Sequence, residues 1–204
     1  MAEYPDVEVF LAGGVVRDSA RGSNRQPKDF DFFLRGRHAP DFVEGLSHLG
    51  QLSYGPFGSP RWSPGGSEPY ADVMLIERFQ NGVEKCTDIV GVLKQFDFTA
   101  NAVAVDLRKA TFYDPCNGVE DSRLGQMRAV RFDYPDEPIT AGHRLTRTVV
   151  LWMRLMHYAS VLELRPDEKT RRWLSARRHY VRERHRFAAV FFDPLLKMQT
   201  LACA

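Results

Sequence analysis

Cysteine is scarce in this chain of 204 residues: Cys86, Cys116 and Cys203 make an odd number with no paired spacing. That excludes a disulfide framework and a zinc-binding cysteine set, and leaves reduced thiols that fill space. No apolar run is long enough to span a bilayer. The opening MAEYPDVE is acidic and carries a proline, with no basic segment leading into an apolar one, so a cytoplasmic protein without membrane contact is expected. An excess of one charge sign is also missing, since the net charge is only +2. The length suits one domain, or one domain with a small helical appendage, and is enough for a real core.

The small net charge hides a split. Residues 1–143 hold 15 Lys+Arg against 21 Asp+Glu, a balance of −6, while residues 144–204 hold 13 against 5, or +8. An acidic half that recruits metal, joined to a basic half that meets polyanion, is what an enzyme acting on nucleic acid needs. Arg-rich helices that only face solvent would give the same count.

The most informative stretch runs from Val7 to Leu34. Val7 to Leu11 is a β-rich apolar run, Gly13 and Gly14 break it, Val16 to Arg21 can open a helix, and DFDFFL reads as the next strand. Strand side chains alternate, so Asp29 and Asp31 project from one face while Phe30 and Phe32 pack on the other. Two adjacent carboxylates repel unless a cation sits between them, and hard oxygen donors suit Mg²⁺ carrying a polyphosphate. Glycines without a Cβ let a phosphate approach backbone N–H groups at a helix start, and Arg17 adds a planar charged fork. Each piece alone reads equally as a turn or a solvated strand end. Their order points to nucleotide chemistry.

On LAGGVVRDSARG followed by KDFDFFL, the chain resembles the head domain of class II tRNA CCA-adding enzymes and bacterial poly(A) polymerases, in the polymerase-β nucleotidyltransferase superfamily. Its connecting loop, Ser23 to Lys28, is two residues longer than usual. Further blocks follow in family order. FDFTANA is similar to an Arg-Arg-Asp-Phe-Thr-x-Asn-Ala motif: Asp97, Thr99, Asn101 and Ala102 match, while Gln95 and Phe96 replace the arginines. DPCNGVED resembles the family's Asp-Pro-x-x-Gly turn and is expected to be structural.

The resemblance implies an α/β (α+β) fold, with a small mixed sheet flanked by helices as a catalytic head over residues 1–137 and an all-helical basic neck over 138–204. It implies transfer of a nucleoside monophosphate from an NTP, ATP or CTP, to a hydroxyl, most naturally an RNA 3′ end. Asp29 and Asp31 would be catalytic and hold two Mg²⁺ ions, and Asp72, in the strand YADVMLI, is either a third carboxylate or a solvated edge residue. Gly13, Gly14 and Arg17 would hold the triphosphate. Asp97 and Asn101 would hold the sugar, or else cap a local turn.

The family's base-reading Glu-Asp-x-x-Arg block departs here. Asp136 and Glu137 keep its acidic character, but Thr140 or Ala141 falls where the arginine is expected. His143, Arg144 and Arg147 are then left either to take over or to form a solvated helical face. Leu145, Val149, Trp152, Leu155, Met156 and Ala159 recur at three and four residues, which predicts a long helix from Ala141 to Ala159. Another helix is expected over Pro40 to Leu49, a loop or flap over the glycine- and proline-rich Tyr54 to Pro69, and a last strand over Met127 to Phe132.

Past Asp167, a further helix leads to arginines interleaved with aromatics. Arg177, Arg178 and Arg182 around Tyr180 can hold RNA phosphates. The family's body and tail domains, which grip tRNA, are not in this sequence, so a partner chain supplying that grip is one expectation. Transfer to a protein or small molecule, and a non-catalytic RNA- or nucleotide-binding module in a larger complex, remain open beside it.

Overall fold

The computed structural model describes residues 3–23, 26–55, 58–65, 69–79, 83–139 and 144–201. Seven strands form one sheet: β1 (Glu8–Ala12), β2 (Asp29–Arg35), β3 (Gln51–Tyr54), β4 (Pro60–Ser63), β5 (Tyr70–Leu75), β6 (Ala104–Asp106) and β7 (Thr111–Tyr113). Their spatial order is β3-β4-β5-β2-β1-β6-β7, and every neighbouring pair is antiparallel except β2 with β5. The mixed α/β architecture expected from the sequence is therefore present.

Alternation along the strands gives the sheet two apolar faces. Phe10, Ala12 and Phe33 pack under α3 (Ile89–Leu93), while Val9, Leu34, Ala71 and Val73 pack under α2 (Ala39–Gly45). Phe30 and Phe32 lie with the second group, their rings stacked 6.3 Å apart, which leaves Asp29 and Asp31 on the opposite face.

A third core belongs to the helices. Along α5 (Arg147–Val161), Val149, Trp152, Met153, Leu155, Met156 and Ala159 are buried, and the Trp152 indole N–H donates to the Leu174 carbonyl at 3.0 Å. Thr146 caps α5 by accepting from the Val149 N–H, and Asp167 caps α6 (Glu168–Ala176) by accepting from Thr170. The same core takes in Phe98, Ala100, Met127 and Ala129, and β8 (Gln126–Met127) pairs in parallel with β9 (Arg165–Pro166). Residues on both sides of position 137 thus share one apolar cluster.

Three expectations need correction. Tyr54 to Pro69 is no simple loop, because its described residues include most of the β3–β4 hairpin, fastened by the Trp62 indole N–H donating to the Leu46 carbonyl at 2.9 Å. Proline at Pro60 is compatible with that hairpin because it opens a strand near the sheet edge. The long helix begins at Arg147, since Thr146 instead bridges to Pro138 and the Glu137 carbonyl accepts from the Arg147 N–H. The last strand shrinks to Gln126–Met127, followed only by a bridge between Phe98 and Ala129. No described helix is long and apolar enough to cross a membrane. Cys86 and Cys116 are free thiols, and Cys203 lies outside the described residues.

Candidate active site

Register across the sheet sets out the site. Arg61 on β4 faces Asp72 on β5, Asp72 faces Asp31 on β2, Asp31 faces Ala12 on β1, and Ala12 faces Ala104 on β6. Directly opposed residues share a face, so one cation, two carboxylates and two methyl groups form a single row. One step along, Asp29 faces Tyr70, whose hydroxyl donates to Asp29 Oδ2 at 3.3 Å.

Asp31 is the strained member. It forms no hydrogen bond or ion pair among the described residues, and burial pushes its carboxyl up to about 7, with the charges of Asp29 and Asp72 adding to the rise. Gly13 comes close to it: a Cβ there would lie 2.8 Å from Asp31 Oδ2, on a backbone held at φ +75°. Only glycine fits that left-handed position without strain against the carboxylate. Asp72, by contrast, is held by both arms of Arg61, Nε to Oδ1 at 2.9 Å and Nη2 to Oδ2 at 3.2 Å.

A polar chain links the glycine turn to α5. Arg17, on α1 (Gly14–Ala20) and only 6% exposed, donates from Nε to Asp18 Oδ1 at 2.8 Å and from Nη1 to the Asn101 side-chain oxygen. The Asn101 amide donates to Asp97 Oδ1 at 3.4 Å, and Asp97 Oδ2 accepts from Arg154 Nε at 2.9 Å. Burial works against the Arg154 charge, but Asp97 more than compensates and its pKa rises. Asn101 stays in place because α4 (Gly118–Arg123) packs tightly on its turn. A Cβ at Gly118 would meet the Thr99 carbonyl oxygen at 1.9 Å.

Asp31 opens onto a cavity of about 920 Å³ that also touches Gly13, Asp97 and Asn101, with Arg147, Val150, Leu151 and Arg154 forming one face of α5 on its wall. The Arg147 Nε is buried with no hydrogen-bond partner among the described residues. The site thus gathers Gly13, Asp31, Asp97, Asn101 and Arg147, with Asp29 and Asp72 beside Asp31 on the sheet. It leaves Arg17 turned inward and Asp136, Glu137 and Arg144 exposed. Thr140, Ala141 and His143 lie outside the described residues. Arg177 sits 4.6 Å over the Trp173 ring, while Arg178 and Arg182 are exposed on a 3₁₀ segment, Arg178–Glu183.

Sequence reading missed Arg61 and Arg154. Arg154 stands seven residues after Arg147, a spacing that places both on one helix face and was there to be used. Arg61 had only a weak signal, a short SPRWS run among glycines and prolines. Gln95 and Phe96, where the resembled family has arginines, belong to the interior: the Gln95 amide donates to the Glu84 carbonyl at 2.8 Å, and Phe96 packs 5.9 Å from Phe33.

Among the described residues no three His, Cys, Asp or Glu side chains gather as a metal-ligand set. What is present is the Asp29–Asp31 pair, hard oxygen donors whose repulsion and burial a cation would relieve. That donor chemistry fits Mg²⁺.

The sheet and the helices that follow it share their fold with solved CCA-adding and tRNA-processing enzymes. The chain is similar to a CCA-adding enzyme solved with CTP, at TM-score 0.65 and 22% identity over 90% of this chain and 41% of that one. It is similar also to a tRNA nucleotidyltransferase solved with a primer tRNA and an incoming ATP analogue, at TM-score 0.66 and 21% identity over 90% of this chain and 51% of that one. A tRNA-processing enzyme in an apo form matches at TM-score 0.63 and 20% identity over 90% of this chain and 46% of that one. The chain therefore spans about half the length of these structures or less, and at such identities the likeness shows the fold alone. No protein-family model and no curated protein matches the sequence.

Proposed function

We propose that the chain is a metal-dependent nucleotidyltransferase that moves a nucleoside monophosphate from an NTP, ATP or CTP, to a hydroxyl at an RNA 3′ end. The observation that carries this reading is Asp31: a carboxylate without a partner among the described residues, beside Asp29, opening onto a cavity whose wall includes Arg147 and Arg154. The similar structures solved with CTP and with a primer tRNA and an ATP analogue favour the same substrates. In the transfer, the acceptor oxygen forms a bond to the α-phosphorus as the bond to the pyrophosphate oxygen breaks.

Asp29 and Asp31 would seat two Mg²⁺ ions, which when bound neutralise the polyphosphate and lower the pKa of the attacking hydroxyl. Gly13 and Gly14 leave room for phosphates beside the carboxylates, with Arg17 supplying charge from behind. Asp97 and Asn101, locked by Arg17 and Arg154, would orient the sugar. Arg147, on the cavity wall, would meet the base, with Asp136, Glu137 and Arg144 flanking it. Residues 1–137 would carry the chemistry and 138–204 would act as a basic neck, bringing RNA in along Arg177, Arg178 and Arg182, with a partner chain completing the tRNA grip.

A second reading, a nucleotide- or RNA-binding module without catalysis, is favoured by the inward-turned Arg17 and by the residues Gln95 and Phe96 standing in place of two arginines. Incubation with each labelled NTP, Mg²⁺ and RNA separates the two. Label at RNA 3′ ends that disappears in Asp31→Asn is the expected result. Label on protein or on a small molecule would move the acceptor, and no label anywhere would leave the binding module.

A further inference from the structure

Asp72 lies in the carboxylate row, yet its charge is already engaged. Arg61 opposes it directly in the antiparallel β4–β5 pair and grips both of its oxygens, at 2.9 and 3.2 Å. A guanidinium fork of this kind covers the carboxylate edge an ion would use, so an ion reaches Asp72 only by breaking a charge-assisted hydrogen bond. The same guanidinium lies 3.9 Å over the ring of Tyr70, and the Tyr70 hydroxyl holds Asp29. Arg61 itself is fixed by the hairpin, whose next residue, Trp62, is tied to the Leu46 carbonyl.

We propose that Arg61 is a positioning residue for the carboxylate site: it withholds Asp72 from a divalent ion and, through Tyr70, sets Asp29. The free chain then offers a two-carboxylate seat, Asp29 with Asp31, and Asp72 joins only when Arg61 is drawn away. The inference rests on the reading in which Asp29 and Asp31 hold Mg²⁺. As an ordinary cross-strand ion pair, with Arg61 35% exposed, the contact would add little stability and nothing else. What distinguishes it is its place, a cation beside a crowded group of carboxylates while Asp31 has none. Arg61 and an ion compete for one carboxylate, and such coupling is reciprocal.

Mn²⁺ takes the same oxygen donors as Mg²⁺ and is detected directly by its paramagnetism, so titration of the full chain without nucleotide tests the proposal. Arg61→Gln should bind Mn²⁺ at least about fivefold tighter than the wild type, the lower end of typical site-to-site coupling. Adding Asp72→Asn to that variant should return the affinity to the wild-type level, and Arg61→Lys should fall between. Asp72→Asn alone should match the wild type, which keeps the test decisive if Arg61→Gln fails to fold. Equal Mn²⁺ affinity in wild type and Arg61→Gln, or a weakened affinity in Asp72→Asn, would overturn the inference and leave the nucleotidyltransferase reading standing. No Mn²⁺ binding in wild type or Arg61→Gln, with Asp31→Asn indistinguishable from them, would remove both.

Discussion

The sheet and the helices treat charge in opposite ways. On the sheet, Asp31 stands with Asp29 and Asp72 beside it and has no bonded cation among the described residues. In the helical part several cations already have partners. Arg171 and Arg172 share Glu168, Arg184 pairs with Asp193, and Arg186 with Glu183. Crowded like charges cost stability unless a ligand relieves them, so the acidic row marks a site more sharply than the larger basic excess does. The acids in these helical pairs are already subtracted in the balance of +8 over residues 144–204, which is lowered further by Arg154, paired with Asp97. Arg178 and Arg182 are exposed and without an ion pair among the described residues, as are Arg144, Arg165, Lys169 and Lys197.

Breaking the acidic side should have the largest effect. Asp31→Asn is expected to reduce transfer to background while the chain stays folded. Its stability change has a defined pH dependence. The folded chain keeps a proton on Asp31 up to about pH 7, whereas the unfolded chain releases it near the ordinary value of 3.8. Stability from this group is therefore full below about pH 4 and is lost as pH rises through about 7. Asp31→Asn should melt with the wild type at pH 4 and above it at pH 8, as read by thermal denaturation at both values.

On the helical side the largest single loss should come from Trp152→Ala, which empties a fully buried site and removes its bond to Leu174. About 3–5 kcal/mol is expected, measured by urea unfolding. Gly13→Ala comes next: strain at φ +75° is worth roughly 1–3 kcal/mol, and the new methyl would press on Asp31. Transfer should fall further than stability does, a split seen by comparing activity with melting temperature. The smallest effect is expected from replacing Arg178 and Arg182 together by Gln. With two fewer cations to neutralise the phosphates of a single strand, the slope of log binding constant against log salt should flatten by about 1.4. A slope that does not change would remove these arginines from the interface.

The sheet half was the more legible of the two because alternation and glycine act locally. The apolar Phe30 and Phe32 against Asp29 and Asp31 declared the two faces, and Gly13 declared a turn. The β3–β4 hairpin was hidden because its residues lie between glycines and prolines, and short edge strands carry little pattern. With the hairpin went Arg61, whose importance comes only from register. Periodicity identified the α5 stripe but placed its start too early, since the apolar spacing continues through Leu145 while the backbone there pairs with residues 137–139. Asp97 was readable as a candidate, but its partner Arg154 lies 57 residues away. A pairing across that much chain leaves no local trace.

Above all, Asp31 is buried beside Asp29 and Asp72 in a state that a divalent cation would relieve. Carbon-13 NMR of the aspartate carboxyls, with Asp31 assigned through Asp31→Asn, follows its protonation directly. The expected midpoint lies near pH 7 without metal and falls well below that when Mg²⁺ is added. A midpoint near 4 without metal, or one that Mg²⁺ leaves unmoved, would contradict it.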